Sequence, residues 1–314
     1  MKSDPKKLPL VLIAGPTASG KSALALALSR LLPVTIVNAD ASQVYRDLRV
    51  VSARPSHEEE RQAPHRLFGH VDGAQGYSAA AWAADARTAI SKAQANWRVP
   101  VLVGGTGMYI RTLLEGIAPV PAIAPDVRKT VRALAVGDAY TALASEDPTA
   151  AARLSPNDTT RVARALEVVR STGQPIAHWQ ARRVGGIGDA VRLVPIILLP
   201  PREWLFARCD ARFDAMLAGG GKEEVAALIA RGLDPDLPVM RAIGVREIAA
   251  MLARPSDAER CIADAKIATR QYAKRQFTWF RNQLPADWTR IEAQLGNDII
   301  SDLVIKLQHM ALTD

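Results

Sequence analysis

Gly15-Pro16-Thr17-Ala18-Ser19-Gly20-Lys21-Ser22 constrains the fold of this chain more than any other stretch. It matches G-x-x-x-x-G-K-[ST], follows a short apolar run at 8–14 and precedes an Ala/Leu-rich segment, 23–32, that reads as helix. Strand, glycine-rich loop and helix in that order make a phosphate cradle. The glycines let the backbone curl so that successive N–H groups and the helix N-terminus point at phosphate oxygens, Lys21 adds charge, and the Ser22 hydroxyl can hold a magnesium ion. The strand signal recurs at 34–37, ending in Asn38-Ala39-Asp40, and at 99–103, ending in Gly104-Gly105-Thr106-Gly107. Between them, the Ala-rich stretch 78–97 lacks Gly and Pro and reads as helix. This alternation predicts an α/β fold: a P-loop NTPase-like parallel sheet flanked by helices, with ligands at the strand C-terminal ends. Pro119, Pro121 and Pro125 mark a change of texture, and 126–183 shows helix-forming stretches without a strand. The expected organisation is a first part of the core at 1–120, an inserted all-helical subdomain at 121–188, and a second part of the core at 189–314. That last part should hold one strand, 191–199, and helices at 202–217, 222–230, 241–252 and 258–282.

With 314 residues, 48% of them hydrophobic, the chain can bury a full core. Its 40 basic residues against 32 acidic give a formal charge of +8, a balance that suits a polyanionic partner but is also common in proteins that touch no nucleic acid. Cys209 and Cys261 are far apart and form no C-x-x-C pattern, so neither a disulfide framework nor a zinc site is expected, and the histidines show no ligand spacing. The charged N-terminus and seven-residue apolar run suit neither a membrane span nor a cleavable signal, so no membrane partner and a cytoplasmic location are expected. Trp97, Trp179, Trp204, Trp279 and Phe280 read as core rather than as stacking platforms.

A P-loop alone does not name the phosphate ester it holds, because nucleotide kinases and ATPases share it. An ATPase usually places an acid after an apolar strand to hold magnesium. Here the strand at 99–103 runs into Gly-Gly-Thr-Gly and the one ending at 199 into Pro-Pro. The acid that does follow a strand is Asp40, which is either catalytic, a magnesium holder or a helix N-cap. The Thr106 hydroxyl belongs either to the site or to its own glycine-rich turn.

Several segments together resemble the bacterial tRNA dimethylallyltransferase family, also called IPP transferases. They are Gly15 to Ser22, Asp40 to Arg46, Gly104-Gly-Thr-Gly-Met-Tyr109, Arg164-Ala-Leu-Glu-Val168, Met240-Arg-Ala-Ile-Gly-Val-Arg-Glu247 and Thr269-Arg-Gln-Tyr-Ala-Lys-Arg-Gln276. The resemblance spans nearly the whole chain. It implies transfer of a dimethylallyl group from dimethylallyl diphosphate to the exocyclic N6 amine of the adenosine 3′-adjacent to the anticodon, with release of diphosphate and help from Mg2+. It implies that Asp40 is the base and that Thr106, also in the catalytic set, hydrogen-bonds near Asp40 or the diphosphate, that Gly15, Pro16, Thr17, Ala18, Ser19, Gly20, Lys21 and Ser22 hold the diphosphate, and that Ser22 faces the metal. It further implies tRNA contacts at Asp40, Ala41, Ser42, Gln43, Thr106, Arg128, Thr160, Arg161, Val162, Ala163, Arg164, Met240, Arg241, Gly244 and Arg246. Basic clusters at Arg161/Arg164, Arg128/Lys129/Arg132 and Arg270/Lys274/Arg275 suit an anticodon stem-loop, although each alone also reads as a solvated helix face. The family pattern Asp-Ser-x-Gln-Val-Tyr-Arg has Ala41 in place of the serine, and Gly-Thr-Ala-Lys-Pro appears as Val51-Ser-Ala-Arg-Pro55. A helper hydroxyl beside Asp40 is therefore lost unless Ser42 substitutes. The rival readings are a P-loop kinase of a small metabolite and a basic RNA-binding protein with a vestigial loop. A monomer is expected.

Overall fold

A computed structural model describes residues 7–313. In chain order the core opens with β1 (Pro9–Ala14), α1 (Lys21–Ser29), β2 (Val34–Asn38), α2 (His57–Gln62), β3 (His65–Arg66), α3 (Ala79–Ala95), β4 (Val99–Gly104) and α4 (Gly107–Glu115). The helical stretch that follows holds α5 (Pro125–Arg132), α6 (Val136–Glu146), α7 (Pro148–Ala151), α8 (Thr159–Thr172) and α9 (Ile176–Gln180). The chain then completes the core with β5 (Arg192–Leu198), α10 (Arg202–Met216), α11 (Lys222–Ala230), α12 (Val245–Ala253), α13 (Ala258–Asn282), β6 (Thr289–Ile291) and α14 (Asn297–Leu312).

Among the described residues the core carries one six-stranded sheet in the order β3-β2-β4-β1-β5-β6, with every pairing parallel. A parallel sheet is buried on both faces, so its strands are continuously apolar rather than alternating. β1 is Pro-Leu-Val-Leu-Ile-Ala, buried from its second residue onward. The side chains of Val11, Ile13, Val101, Val103, Val194 and Ile196 pack with Leu24 and Leu28 of α1 and Leu303, Val304 and Leu307 of α14 into one cluster. The register pairs Ala14 with Gly104 and Val103 with Asn38, so the loops after β1, β2 and β4 leave the sheet at one end. That end is where the crevice of an open α/β sheet lies.

The second part of the core was expected to add one strand; it adds two, because Thr289–Ile291 pairs with β5 through Ile196–Thr289 and Leu198–Ile291. The chain divides by contacts into Met1–Leu113 with Gly188–Asp314, and Leu114–Ile187. The helical unit therefore begins before the expected residue 121. Ile117 and Val184 exchange backbone hydrogen bonds of 3.1 and 3.0 Å, which ties the start and end of the unit together upstream of the prolines. Its own core is formed by Val131, Leu143, Val162 and Leu166, with Ala165 of α8 against α5 and α6. No helix of the described residues is long and apolar enough to cross a membrane.

Candidate active site

The P-loop winds as its glycine spacing requires. Ala18 and Gly20 hold φ of 62° and 98°, left-handed values that turn the backbone over before α1 begins at Lys21. Gly15 is closed to any side chain, since a Cβ there would lie 2.4 Å from the Leu198 carbonyl oxygen. Lys21 donates to the Pro16 carbonyl at 2.6 Å. Its ammonium is pushed down to a pKa of about 8, first by desolvation and also by Arg212, against the opposing pull of Asp40.

Asp40 sits in the loop after β2 and caps no helix. Asn38 fixes it from both sides: the Asn38 Oδ1 accepts from the Asp40 amide at 2.8 Å and the Asn38 Nδ2 donates to the Asp40 carbonyl at 2.9 Å. One carboxylate oxygen accepts from the Ser42 amide at 3.0 Å and from the Ser42 hydroxyl at 2.7 Å. Ser42 thus supplies the hydroxyl that Ala41 cannot. Thr106 does not close on its own turn. Its Oγ1 accepts from the Ala41 amide at 2.9 Å, its own amide donates to the Ala39 carbonyl at 3.1 Å, and its hydroxyl is also hydrogen-bonded to Tyr272. Burial pushes the Tyr272 phenol well above its ordinary range. The two loops approach this closely only because residue 104 is glycine, since a Cβ there would fall 2.1 Å from the Ala39 carbonyl group.

Lys21, Ser22, Asp40, Ser42, Gln43 and Tyr272 face one cavity of ≈ 770 Å³, together with Arg208 and Arg212 of α10 and an apolar wall that includes Val51, Phe213, Met216 and Ile243. Arg208 donates to the Ala18 carbonyl at 3.0 Å, and Arg212 reaches the Thr17 hydroxyl and the Ala53 carbonyl, both at 3.4 Å. Burial lowers the Arg212 pKa, which Asp40 partly offsets. P-loop residues, a lysine and two arginines therefore share one cavity with a carboxylate and an apolar wall. Such a space can hold a diphosphate beside a proton acceptor, with an apolar wall to receive a hydrocarbon. Among the described residues no group of three or more His, Cys, Asp or Glu side chains is arranged to hold a metal. Among the oxygen donors that line the cavity, the Ser22 hydroxyl at the start of α1 fits a hard ion such as Mg2+ that takes most of its ligands from phosphate and water.

Arg208, Arg212 and Gln276 had no role in the sequence reading. The first two form an i, i+4 arginine pair on the helix that follows β5, a signal available from spacing once that strand is recognised. Of the residues expected to touch RNA, Asp40, Ala41, Ser42, Gln43 and Arg241 face the cavity. Arg246 is exposed and Met240 half-buried, whereas Gly244 is buried with φ 92° as the residue before α12, and a Cβ there would press on Val51 at 3.2 Å. On the helical unit, Arg128, Thr160 and Arg161 are exposed, and Ala163 and Arg164 half-buried. Val162 is 1% exposed within the unit's core, so its side chain faces inward. The basic clusters are also less free than their spacing suggested. Arg132 and Arg164 both pair with the buried Glu167, Arg161 with Asp158, and Arg270 grips both carboxylate oxygens of Asp210. Phe280 is core as expected, but Trp97 is 91% exposed, at positive φ beyond the end of α3.

The IPP transferase family model matches residues 43–283. The chain is 62% identical to a tRNA dimethylallyltransferase of Sphingopyxis alaskensis over 305 residues, covering 97% of this chain and 100% of that protein. It is 52% identical over 307 residues to the tRNA dimethylallyltransferase of Zymomonas mobilis, covering 98% of each. Among solved structures, the full-length tRNA isopentenylpyrophosphate transferase of Bacillus halodurans superposes with a TM-score of 0.70 at 31% identity, covering 98% and 97% of the two chains. A eukaryotic dimethylallyltransferase acting on tRNA superposes with a TM-score of 0.82 at 26% identity, covering 97% of this chain and 78% of that one. With a cavity that pairs a phosphate cradle with a fixed carboxylate, and with relatives of this identity along nearly its whole length, the chain belongs to the IPP transferase family.

Proposed function

We propose that the protein transfers a dimethylallyl group from dimethylallyl diphosphate to the N6 amine of the adenosine 3′-adjacent to the anticodon of tRNA, releasing diphosphate. The observation that carries this reading is that Asp40 and the P-loop open into one cavity with an apolar wall. A carboxylate opposite a diphosphate is what alkylation of a weakly nucleophilic amine requires.

The adenine amine is a poor nucleophile because its lone pair is delocalised into the ring. Asp40, held by Asn38 and Ser42, takes the amine proton as the nitrogen bonds to the allylic carbon. The carbon–oxygen bond breaks at the same centre and its electron pair leaves with the diphosphate. That growing charge is met by the P-loop amides and Lys21, with Arg208 and Arg212 beside them. A magnesium ion held by Ser22 would supply further charge neutralisation on the diphosphate. Thr106 holds the Ala41 amide and so keeps the Asp40 loop in place. The target base must leave its stack to reach Asp40, and unstacked loop bases are how RNA is usually read. Arg128 and Arg161 are exposed on the helical unit, which suits contact with RNA phosphates. The reading places the enzyme in the cytosol as a monomer.

Diphosphate release separates this reading from the kinase alternative. With dimethylallyl diphosphate the protein should release diphosphate only when unmodified tRNA is present, and should leave ATP intact. Turnover of ATP without use of the prenyl donor would overturn the proposal.

A further inference from the structure

The C-terminal part of the motif Thr269 to Gln276 takes no part in the chemistry above, yet its last residue reaches both halves of the site. Gln276 lies on α13 and is only 6% exposed. Its Oε1 accepts from the backbone amide of Thr17 in the P-loop at 2.8 Å, across 259 residues of sequence. Its Nε2 donates to the carbonyl of Gly105 at 2.9 Å, next to the residue that holds the Asp40 loop. The two loops follow β1 and β4, neighbouring strands whose register pairs Ala14 with Gly104. Beyond that pair the ladder no longer sets the separation of the chains. The side-chain amide spans the gap with one acceptor and one donor, both satisfied. Gly105 is shaped to receive it, because a Cβ at that position would lie 2.2 Å from Nε2.

We infer that Gln276 is a positioning residue that sets the distance between the diphosphate-holding loop and the loop of Gly105 and Thr106, which in turn holds the loop of Asp40. The inference rests on the proposed transfer reaction. Gln276 faces neither the reacting carbon nor the amine. It acts through Thr17 on one side and through Gly105 and Thr106 on the other. Each substrate keeps its own binding groups when Gln276 is altered, so the loss falls on their mutual alignment. Misplacement of two bound reactants by about 1 Å lowers the rate on the order of a hundredfold without weakening either complex.

The test uses the full chain and single-turnover prenylation with saturating tRNA and dimethylallyl diphosphate. Gln276→Leu, which keeps volume but neither hydrogen bond, should lower the single-turnover rate at least tenfold while the dissociation constants of both substrates stay within about twofold of the parent. Gln276→Glu keeps the acceptor for the Thr17 amide and loses the donor to Gly105, and should recover part of the rate. A rate loss at unchanged dissociation constants is the readout that a purely structural role would not give, and a double-mutant cycle checks the contact itself. Gly105→Ala forces a Cβ onto Nε2 in the parent, but Gln276→Ala vacates that space, so the Gly105→Ala rate defect should shrink in the Gln276→Ala background. An unchanged rate per folded site in Gln276→Leu, a loss explained by weaker donor binding, or strictly additive effects in the cycle would each overturn the inference. If the parent itself makes no prenylated tRNA, the proposed function fails rather than the role of Gln276.

Discussion

Raising the pH from 7 to 9.5 should discharge Lys21 before the other groups of the cavity titrate, and the donor should then bind more weakly. The free protein holds this ammonium at about 8, below its usual 10.5, while the neighbouring Cys209 thiol is pushed up to about 11. The last proton of a phosphate ester leaves near pH 6, so over this range the ligand's charge is constant. If binding needs the charged lysine, affinity falls tenfold per pH unit above 8. That amounts to about 30-fold at pH 9.5. The same shift couples folding to pH. The folded state releases the proton near pH 8 and the unfolded chain near 10.5. The penalty is therefore fully present below pH 8, and stability rises with pH between 8 and 10.5, by about 3 kcal/mol for a shift of this size. Lys21→Met should accordingly melt above the parent at pH 7, with the advantage fading toward pH 10, while its donor affinity is low and flat with pH. Calorimetric titration with dimethylallyl diphosphate, run at each pH in two buffers of different ionisation enthalpy, reads both affinity and proton uptake. Uptake approaching one proton at pH 9 is the expected result. Flat affinity and no uptake in the parent from pH 7 to 9.5 would refute the reasoning.

Asp40→Ala should retain tRNA binding and lose about a hundredfold or more in single-turnover rate, the scale of a missing general base; full activity would remove it from that role. Gly104→Ala drives a Cβ to 2.1 Å from the Ala39 backbone. It should cost about 1–3 kcal/mol, seen as a melting temperature lowered by several degrees, together with reduced activity from displacement of the Asp40 loop. Arg161→Ala with Arg164→Ala should weaken tRNA binding and flatten its dependence on salt, measured by filter binding across a salt series. An unchanged slope would return both residues to the solvated face, a reading their pairing with Asp158 and Glu167 already favours in part.

The central strands and the P-loop were legible because each carries its own signal. A fully buried strand such as β1 is a short unbroken apolar run, and the loop that follows it needs glycine where φ is positive. β3 and β6 were not legible, because edge strands of two and three residues are too short to show a period. The final helix carries a signal in the i, i+3 and i+4 spacing of Ile300, Leu303, Val304, Leu307 and Ala311. Asp40 could be found because it follows a strand, but its surroundings could not. Asn38, Ser42 and Thr106 are brought onto it by the parallel register of β2 and β4, which no local pattern encodes. Arg212 and Gln276 are separated from the P-loop by about two hundred residues or more and reach it only through packing of α10 and α13. Spacing was a poor guide to the free cations. Arg132 and Arg270 look like members of basic faces in sequence, but in the fold each is held by a carboxylate from another helix.

The most direct measurement incubates the purified protein with unmodified tRNA, dimethylallyl diphosphate and magnesium, then digests the RNA and maps its modified nucleosides by mass spectrometry. A single dimethylallyl group on the N6 amine of the adenosine 3′-adjacent to the anticodon, formed about a hundredfold or more slowly by Asp40→Ala, is the result this account requires. Unmodified adenosine from folded protein that binds both substrates, or prenylation at an undiminished rate without the Asp40 carboxylate, would contradict it.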